Sequence, residues 1–176
     1  MTAAAIVRLA GAALVPLVLW LGAAHAFAAS GLWLNTSPSL PLGLYRVASA
    51  PPAVGADVIV CLPLTLGRAA RDREYLGPGP CPGGAARLGK TIAATAGAVV
   101  DVRADGVWID GHRVPESVPL ARDRAGRPLA RQADGPHRVP PGMVFLLATH
   151  HPRSWDSRYY GPIPSTAVLA VVRRIW

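Results

Sequence analysis

Between Ala98 and Val114 the chain reads AVVDVRADGVWIDGHRV, and no other stretch restricts the fold as tightly. Apolar and β-branched residues run up to Asp105-Gly106, resume, and run again to Asp110-Gly111. Asp-Gly between such runs signals a hairpin, because turns that match the twist of paired strands need positive φ. The stretch reads as strand, turn, strand, turn, strand. DVIVCL (Asp57–Leu62) and MVFLLAT (Met143–Thr149) have the make-up of buried strands. AVLAVVRRIW (Ala167–Trp176) has helical propensity too, but its β-branched content and terminal position favour a strand. Eighteen glycines and eighteen prolines in 176 residues suit short strands joined by many turns. The polar stretch Glu116–Pro141 reads as a surface hairpin or loop. The expected class is all-β, with antiparallel sheets in one domain and an appended segment.

The appended segment is N-terminal. Leu9–Ala29, LAGAALVPLVLWLGAAHAFAA, carries no formal charge. Roughly 20 apolar residues cross a ~30 Å hydrocarbon layer as a helix. Trp20 and Trp33 are spaced to anchor at membrane–water boundaries, and Arg8 favours a cytoplasmic N-terminal side. A cleaved signal peptide is the alternative, with Ala24-His25-Ala26 as an acceptable cleavage site. The apolar run exceeds the core of about 7–15 residues usual in such peptides. Residues 1–29 are therefore read as a retained single-pass anchor in the bilayer, and residues 30–176 as an exported, β-rich domain.

Export bears on the two cysteines. An oxidising compartment and an even count make Cys61 and Cys81, which enclose a stretch read as a loop charged in its middle, a disulfide candidate, with two separate thiols as the alternative. Neither has a close cysteine or histidine partner, so no metal is expected, and nothing implies a cofactor. Hydrophobic residues at 51% and charged residues at 16% exclude extensive disorder. The net charge of +8 suits an anionic lipid surface. Without a basic stripe interleaved with aromatics, no nucleic-acid partner is expected.

Chemistry concentrates in three places. NTSPSLPLGLYRV (Asn35–Val47) crowds hydroxyls and prolines directly after the apolar run. A serine needs a base to become a nucleophile. The histidines, His25, His112, His137, His150 and His151, have no recognised local setting for that role, and G-x-S-x-G is absent. Among eighteen basic residues there is one lysine, Lys90, within RLGKTIAATAG. An apolar strand would desolvate its ammonium, and a fall from ~10.4 to ~7.5 requires roughly 4 kcal/mol, within reach of burial. The third place is HPRSWDSRYYGPIP (His151–Pro164), where Asp156, Ser157 and Arg158 form a charged, hydroxyl-rich cluster.

The order S-x-S-x-P-x-G-x-Y (Ser37–Tyr45), then Lys90, then S-x-D-S-R-Y-x-G (Ser154–Gly161) resembles the type I signal peptidases. The likeness is closer to their conjugative-transfer branch, the TraF-like signal peptidases, and it covers nearly the whole exported part. It implies a membrane-anchored serine endopeptidase with a signal-peptidase-like β-domain behind a single N-terminal transmembrane helix. By the same resemblance Ser39 is the nucleophile and Lys90 its general base. Ser37 and the Ser39 amide form an oxyanion hole, Ser154 orients the lysine amine, and Asp156 and Arg158 make a structural ion pair. KTIAATAGAVV lacks the arginine and the Pro-Gly-Asp turn usual after that lysine, and ATHHP stands where general signal peptidases carry Gly-Asp-Asn.

The implied location is the bacterial inner membrane, with the catalytic domain in the periplasm. The implied substrate is an exported precursor, foremost a conjugative pilin, handled through an acyl-enzyme that is hydrolysed or used for cyclisation. Components of a secretion or conjugation apparatus are implied partners. The alternatives are a housekeeping signal peptidase and a non-catalytic assembly protein of a secretion apparatus.

Overall fold

A computed structural model describes residues 16, 18–23, 30–132 and 135–176. The chain divides into two compact units, Met1–Trp33 and Leu34–Trp176. In the first, Pro16 and residues 18–23 are helical, with exposed side chains. Among the described residues no helix is long and apolar enough to cross a membrane. The spanning helix expected over residues 1–29 is thus without structural support, and most of that run, Arg8 and His25 included, lies outside the described residues.

The second unit is mostly β. Its strands, with β1 shared across the boundary, are β1 (Leu32–Asn35), β2 (Gly43–Ala48), β3 (Asp57–Val60), β4 (Pro78–Cys81), β5 (Leu88–Thr95), β6 (Val99–Arg103), β7 (Gly106–Ile109), β8 (His112–Arg113), β9 (His137–Arg138), β10 (Met143–Leu147), β11 (Ile163–Pro164) and β12 (Val168–Arg174). Among the described residues they form a seven-stranded sheet, ordered β1-β2-β12-β3-β5-β10-β11, and a four-stranded sheet, ordered β8-β7-β6-β9. The C-terminal stretch is a strand, paired antiparallel with both β2 and β3.

Strand β10 explains its own unbroken apolar run. Val144 and Leu146 face one core, with Val58, Val60, Leu88 and Ile92. Phe145 and Leu147 face a second, with Val100, Val102 and Val107. A strand buried on both faces has no position for a polar residue.

Two sequence expectations need correction. In the first hairpin Arg103 pairs with Gly106, so the two-residue turn is Ala104-Asp105 and Gly106 opens the next strand. Gly106 is kept by its φ of 145° and by the Arg113 and Ser117 side chains, each 3.1 Å from where a Cβ would lie. The second turn, Asp110-Gly111, falls where expected, between Ile109 and His112. Between the cysteines, Leu64–Asp72 is a helix rather than a charged loop, with Gly67 and Ala70 on its buried side. Within Glu116–Pro141 a surface hairpin does form, bridged between Arg122 and Pro128, and part of it walls the cavity described below.

Candidate active site

The loop from β1 to β2 carries Ser39. Prolines 38 and 41 cannot donate backbone hydrogen bonds, so the loop cannot close on its own amides. Asn35, at the end of β1 and 2% exposed, gathers it instead. Its Nδ2 donates to the carbonyls of Ser37 (2.9 Å), Leu40 (3.0 Å) and Pro41 (3.1 Å), and its Oδ1 accepts from the Ser37 amide at 3.1 Å. Tyr45 Oη donates to the Pro41 carbonyl at 2.8 Å, and the Leu40 side chain is buried. Gly43 then turns into β2 with φ 140°, and a Cβ there would lie 2.0 Å from the Trp176 carbonyl oxygen. No other residue fits that approach.

Lys90 lies on β5 between Leu88 and Ile92 at a spacing of two, so all three project from one face. Val58 of β3 is its cross-strand partner, and Lys90 is 2% exposed. Its Nζ donates to Ser39 Oγ at 3.0 Å and to Ser154 Oγ at 2.5 Å. The two serine oxygens are 3.0 Å apart. Burial lowers the Lys90 pKa to about 8, and Arg158 pushes the same way while Asp156 opposes it. A lysine with that pKa is neutral in an appreciable fraction near pH 7. Neutral, it has a lone pair for the Ser39 proton and N–H groups left for Ser154.

Ser154 is held from behind. Asp156 and Arg158 are fully buried and joined at 2.8 Å. Arg158 Nη2 also donates to the Ser154 carbonyl at 3.1 Å, and Nη1 to the Val118 carbonyl at 3.1 Å. Asp156 accepts from the Ala148 amide at 3.0 Å and caps the one-turn helix Ser157–Tyr160 through the Arg158 amide. Ser157 fixes that helix to β10 by accepting from the Leu146 amide at 2.9 Å. A buried ion pair is tolerable only when its remaining donors and acceptors find partners, and these do.

Ser39, Lys90 and Ser154 line a cavity of about 710 Å³. One wall is Tyr75-Leu76, in the segment closed by a disulfide between Cys61 and Cys81. Another runs through Leu120, Asp123, Arg124 and Leu129. The walls are tied together where Tyr75 Oη donates to Asp123 Oδ2 at 2.7 Å and Arg127 Nη2 donates to the Arg73 carbonyl at 2.7 Å.

The structure thus brings together Ser39, Lys90 and Ser154, with Asp156 and Arg158 directly behind. Ser37 is two residues from the nucleophile candidate, but its hydroxyl donates to Asn35 Oδ1 at 3.1 Å rather than pointing to Ser39. Among the described residues the hydrogen-bond partners of the Ser39 hydroxyl are Lys90 and Ser154, and no imidazole joins them. Two contributors were missed in the sequence. Asn35 had a signal, since an asparagine before a proline-rich loop commonly supplies the hydrogen bonds that prolines cannot. Leu120–Leu129 had none, because its place depends on Tyr159 and Tyr75 finding it in space.

With that geometry in view, comparison with known proteins is informative. The family described as signal peptidase, peptidase S26, matches residues 3–176. A probable conjugal transfer protein TraF of Sinorhizobium fredii is 44% identical over 150 residues, covering 82% of this chain and 77% of that protein. A plasmid transfer protein TraF of Escherichia coli is 37% identical over 148 residues, covering 84% and 83%. A conjugal transfer protein TraF of Agrobacterium tumefaciens is 42% identical over 149 residues, covering 83% and 82%. Among solved structures, a signal peptidase I from Enterococcus faecalis aligns with a TM-score of 0.43 at 21% identity, covering 72% of this chain and 100% of that one. By the match of the family to almost its full length, the chain belongs to the signal peptidases of the peptidase S26 family.

Proposed function

We propose that this protein is a serine endopeptidase that uses Ser39 as nucleophile and Lys90 as general base on exported precursor proteins. The observation that carries the reading is the 3.0 Å approach of a buried amine, with its pKa lowered to about 8, to a serine hydroxyl in a proline-stiffened loop. Neutral Lys90 takes the Ser39 proton as Oγ attacks the scissile carbonyl carbon. The resulting ammonium gives a proton to the leaving amine as the C–N bond breaks, leaving an ester on Ser39. Water then attacks that ester as Lys90 accepts its proton, and the ammonium returns that proton to Ser39 Oγ as the acyl C–O bond breaks and the new acid departs. A substrate amine arriving before water would give a cyclic or transpeptidated product instead.

The developing oxyanion needs donors. The Ser39 amide is one candidate and the Ser37 hydroxyl, after rotation away from Asn35, the other. Each such donor is worth about 3 kcal/mol in the transition state.

A conjugative pilin precursor is the proposed substrate, supported by relatives whose names place them in conjugal and plasmid transfer. The proposed setting is the periplasmic face of the inner membrane, behind an N-terminal anchor, with transfer-apparatus components as partners. Exposed Leu42, Val47, Leu169 and Trp176, on or beside β2 and β12, support contact with a bilayer. Arg46 and Arg173 pair across those two strands and suit its anionic headgroups.

Co-expression with a candidate pilin precursor, followed by mass analysis, tests the whole reading. Loss of mature product with either Ser39→Ala or Lys90→Ala supports it. Full processing by both variants sinks it. A product lighter than the linear one by one water would identify cyclisation.

A further inference from the structure

Three guanidinium groups from separate segments line the cavity that holds Ser39 and Lys90. They are Arg87, just before β5, Arg124, on the far wall, and Arg153, next to Ser154. All three are exposed, and among the described residues none takes part in an ion pair. Their neighbour Arg127 is different, since its Nε is committed to Asp123 Oδ2 at 2.7 Å. That contact, with the bond from Tyr75, also occupies the Asp123 carboxylate. Glu74 is the other carboxylate of the lining, so the charges left facing the cavity are mainly positive.

We infer that the cleft selects precursors carrying carboxylate side chains close to the scissile bond. This rests on the serine–lysine peptidase reading and deepens it by naming a substrate property. A lipid headgroup would meet the same cations, but the cavity is also walled by Leu76, Leu88, Leu120 and Trp155, which suits side chains of an extended peptide. The backbone there is restrained. Arg124 lies within a turn in which the Ala125 and Arg127 amides both donate to Asp123 Oδ1, so its guanidinium projects from a fixed base. Fixed charges discriminate better than charges on a loose loop, because less ordering is needed on binding.

The test separates binding from turnover. Fluorescent peptides with an alanine-rich centre, flanked by Glu, Gln or Lys, are titrated against the full chain carrying Ser39→Ala in detergent. An exposed arginine–carboxylate pair contributes up to about fivefold, so the Glu peptide should bind at least about twofold tighter than its Gln counterpart and the Lys peptide most weakly. The preference should shrink as sodium chloride rises from low to high concentration. Arg124→Glu should reduce or reverse it, with Arg87→Gln and Arg153→Gln each reducing it. Equal binding of the three peptides at low salt overturns the inference, as does a preference that Arg124→Glu, Arg87→Gln and Arg153→Gln all leave unchanged. Hydrolysis by the wild-type chain is followed separately, so a charge-blind but active enzyme refutes the inference alone, whereas a charge-selective but inactive one refutes the peptidase reading.

Discussion

Lys90 Nζ lies 2.5 Å from Ser154 Oγ, closer than it lies to Ser39 Oγ at 3.0 Å. The shorter contact belongs to the serine that is not the proposed nucleophile. This division suits a general base, because one N–H must be anchored if the lone pair is to face the hydroxyl it deprotonates. Ser154→Ala should therefore lower kcat about a hundredfold, the scale of a misplaced reacting group, with little change in KM. Steady-state kinetics on a precursor peptide checks this, and an effect confined to KM would contradict it.

Activity should follow the fraction of neutral Lys90. Burial holds its pKa at about 8, so kcat/KM should rise with pH and bend near pH 8, the free-enzyme pKa. Lys90→Ala should abolish the limb along with the general-base contribution, a loss of about 10²–10⁴. A flat profile between pH 6 and 9 would assign the proton transfer to another group.

Much of this site is legible in the sequence. The lone lysine between Leu88 and Ile92 announced a desolvated amine, and the prolines around Ser39 announced a stiff loop, because burial and φ restriction are properties of local sequence. The apolar and β-branched runs of β6 and β7 between Asp-Gly pairs, and the apolar run of β10, carried the strands. What was not readable depends on partners distant in the chain. The Ser37 hydroxyl turns to Asn35, and Val118 is drawn to Arg158, through contacts that no spacing encodes. The helix Leu64–Asp72 was hidden because its two arginines and Asp72 look like a solvated loop until Ala70 and Gly67 are seen buried.

Lys90 should cost the fold stability at neutral pH. Its folded pKa, about 8, is below the ordinary 10.5 of the unfolded chain. Between those values the unfolded state binds the extra proton, so stability rises with pH across that window. Below pH 8 both states are protonated and the full cost of the buried ammonium remains. Lys90→Met should then stabilise the inactive protein by as much as about 3 kcal/mol at pH 7, with the advantage shrinking towards pH 10. Paired thermal melts at the two pH values decide it, and a gap that widened with pH would reverse the sign.

Asn35→Ala tests whether the nucleophile loop is held from one point. The substitution leaves the Leu40 carbonyl, among others, without the amide that now serves it. Unsatisfied buried groups cost about 1–3 kcal/mol each, so a loss of about 2–3 kcal/mol in stability is expected. At temperatures where the variant is folded, kcat should fall with KM nearly constant, since the loop carries Ser39 but only part of the cavity wall. Asn35→Asp should not rescue it, because a carboxylate cannot donate to those carbonyls.

The disulfide separates support of the wall from support of the dyad. Cys61 follows β3 and Cys81 ends β4, with a sequence separation of 20. The segment they enclose carries Tyr75 and Leu76 of the cavity wall, whereas Ser39, Lys90 and Ser154 all lie outside it. Closing a loop of this size contributes about 3 kcal/mol, largely by restricting the unfolded chain. Cys61→Ala with Cys81→Ala should lower the melting temperature accordingly. In the cold, where the variant stays folded, attack of Ser39 on a small activated ester should proceed at nearly the wild-type rate, because the hydroxyl and amine are positioned by β2, β5 and the Asp156–Arg158 pair. Cleavage of a long peptide should show a raised KM, because Tyr75 no longer holds Asp123 and the far wall is released. A loss of ester turnover in the folded variant would mean that the bridged segment reaches the reacting groups themselves.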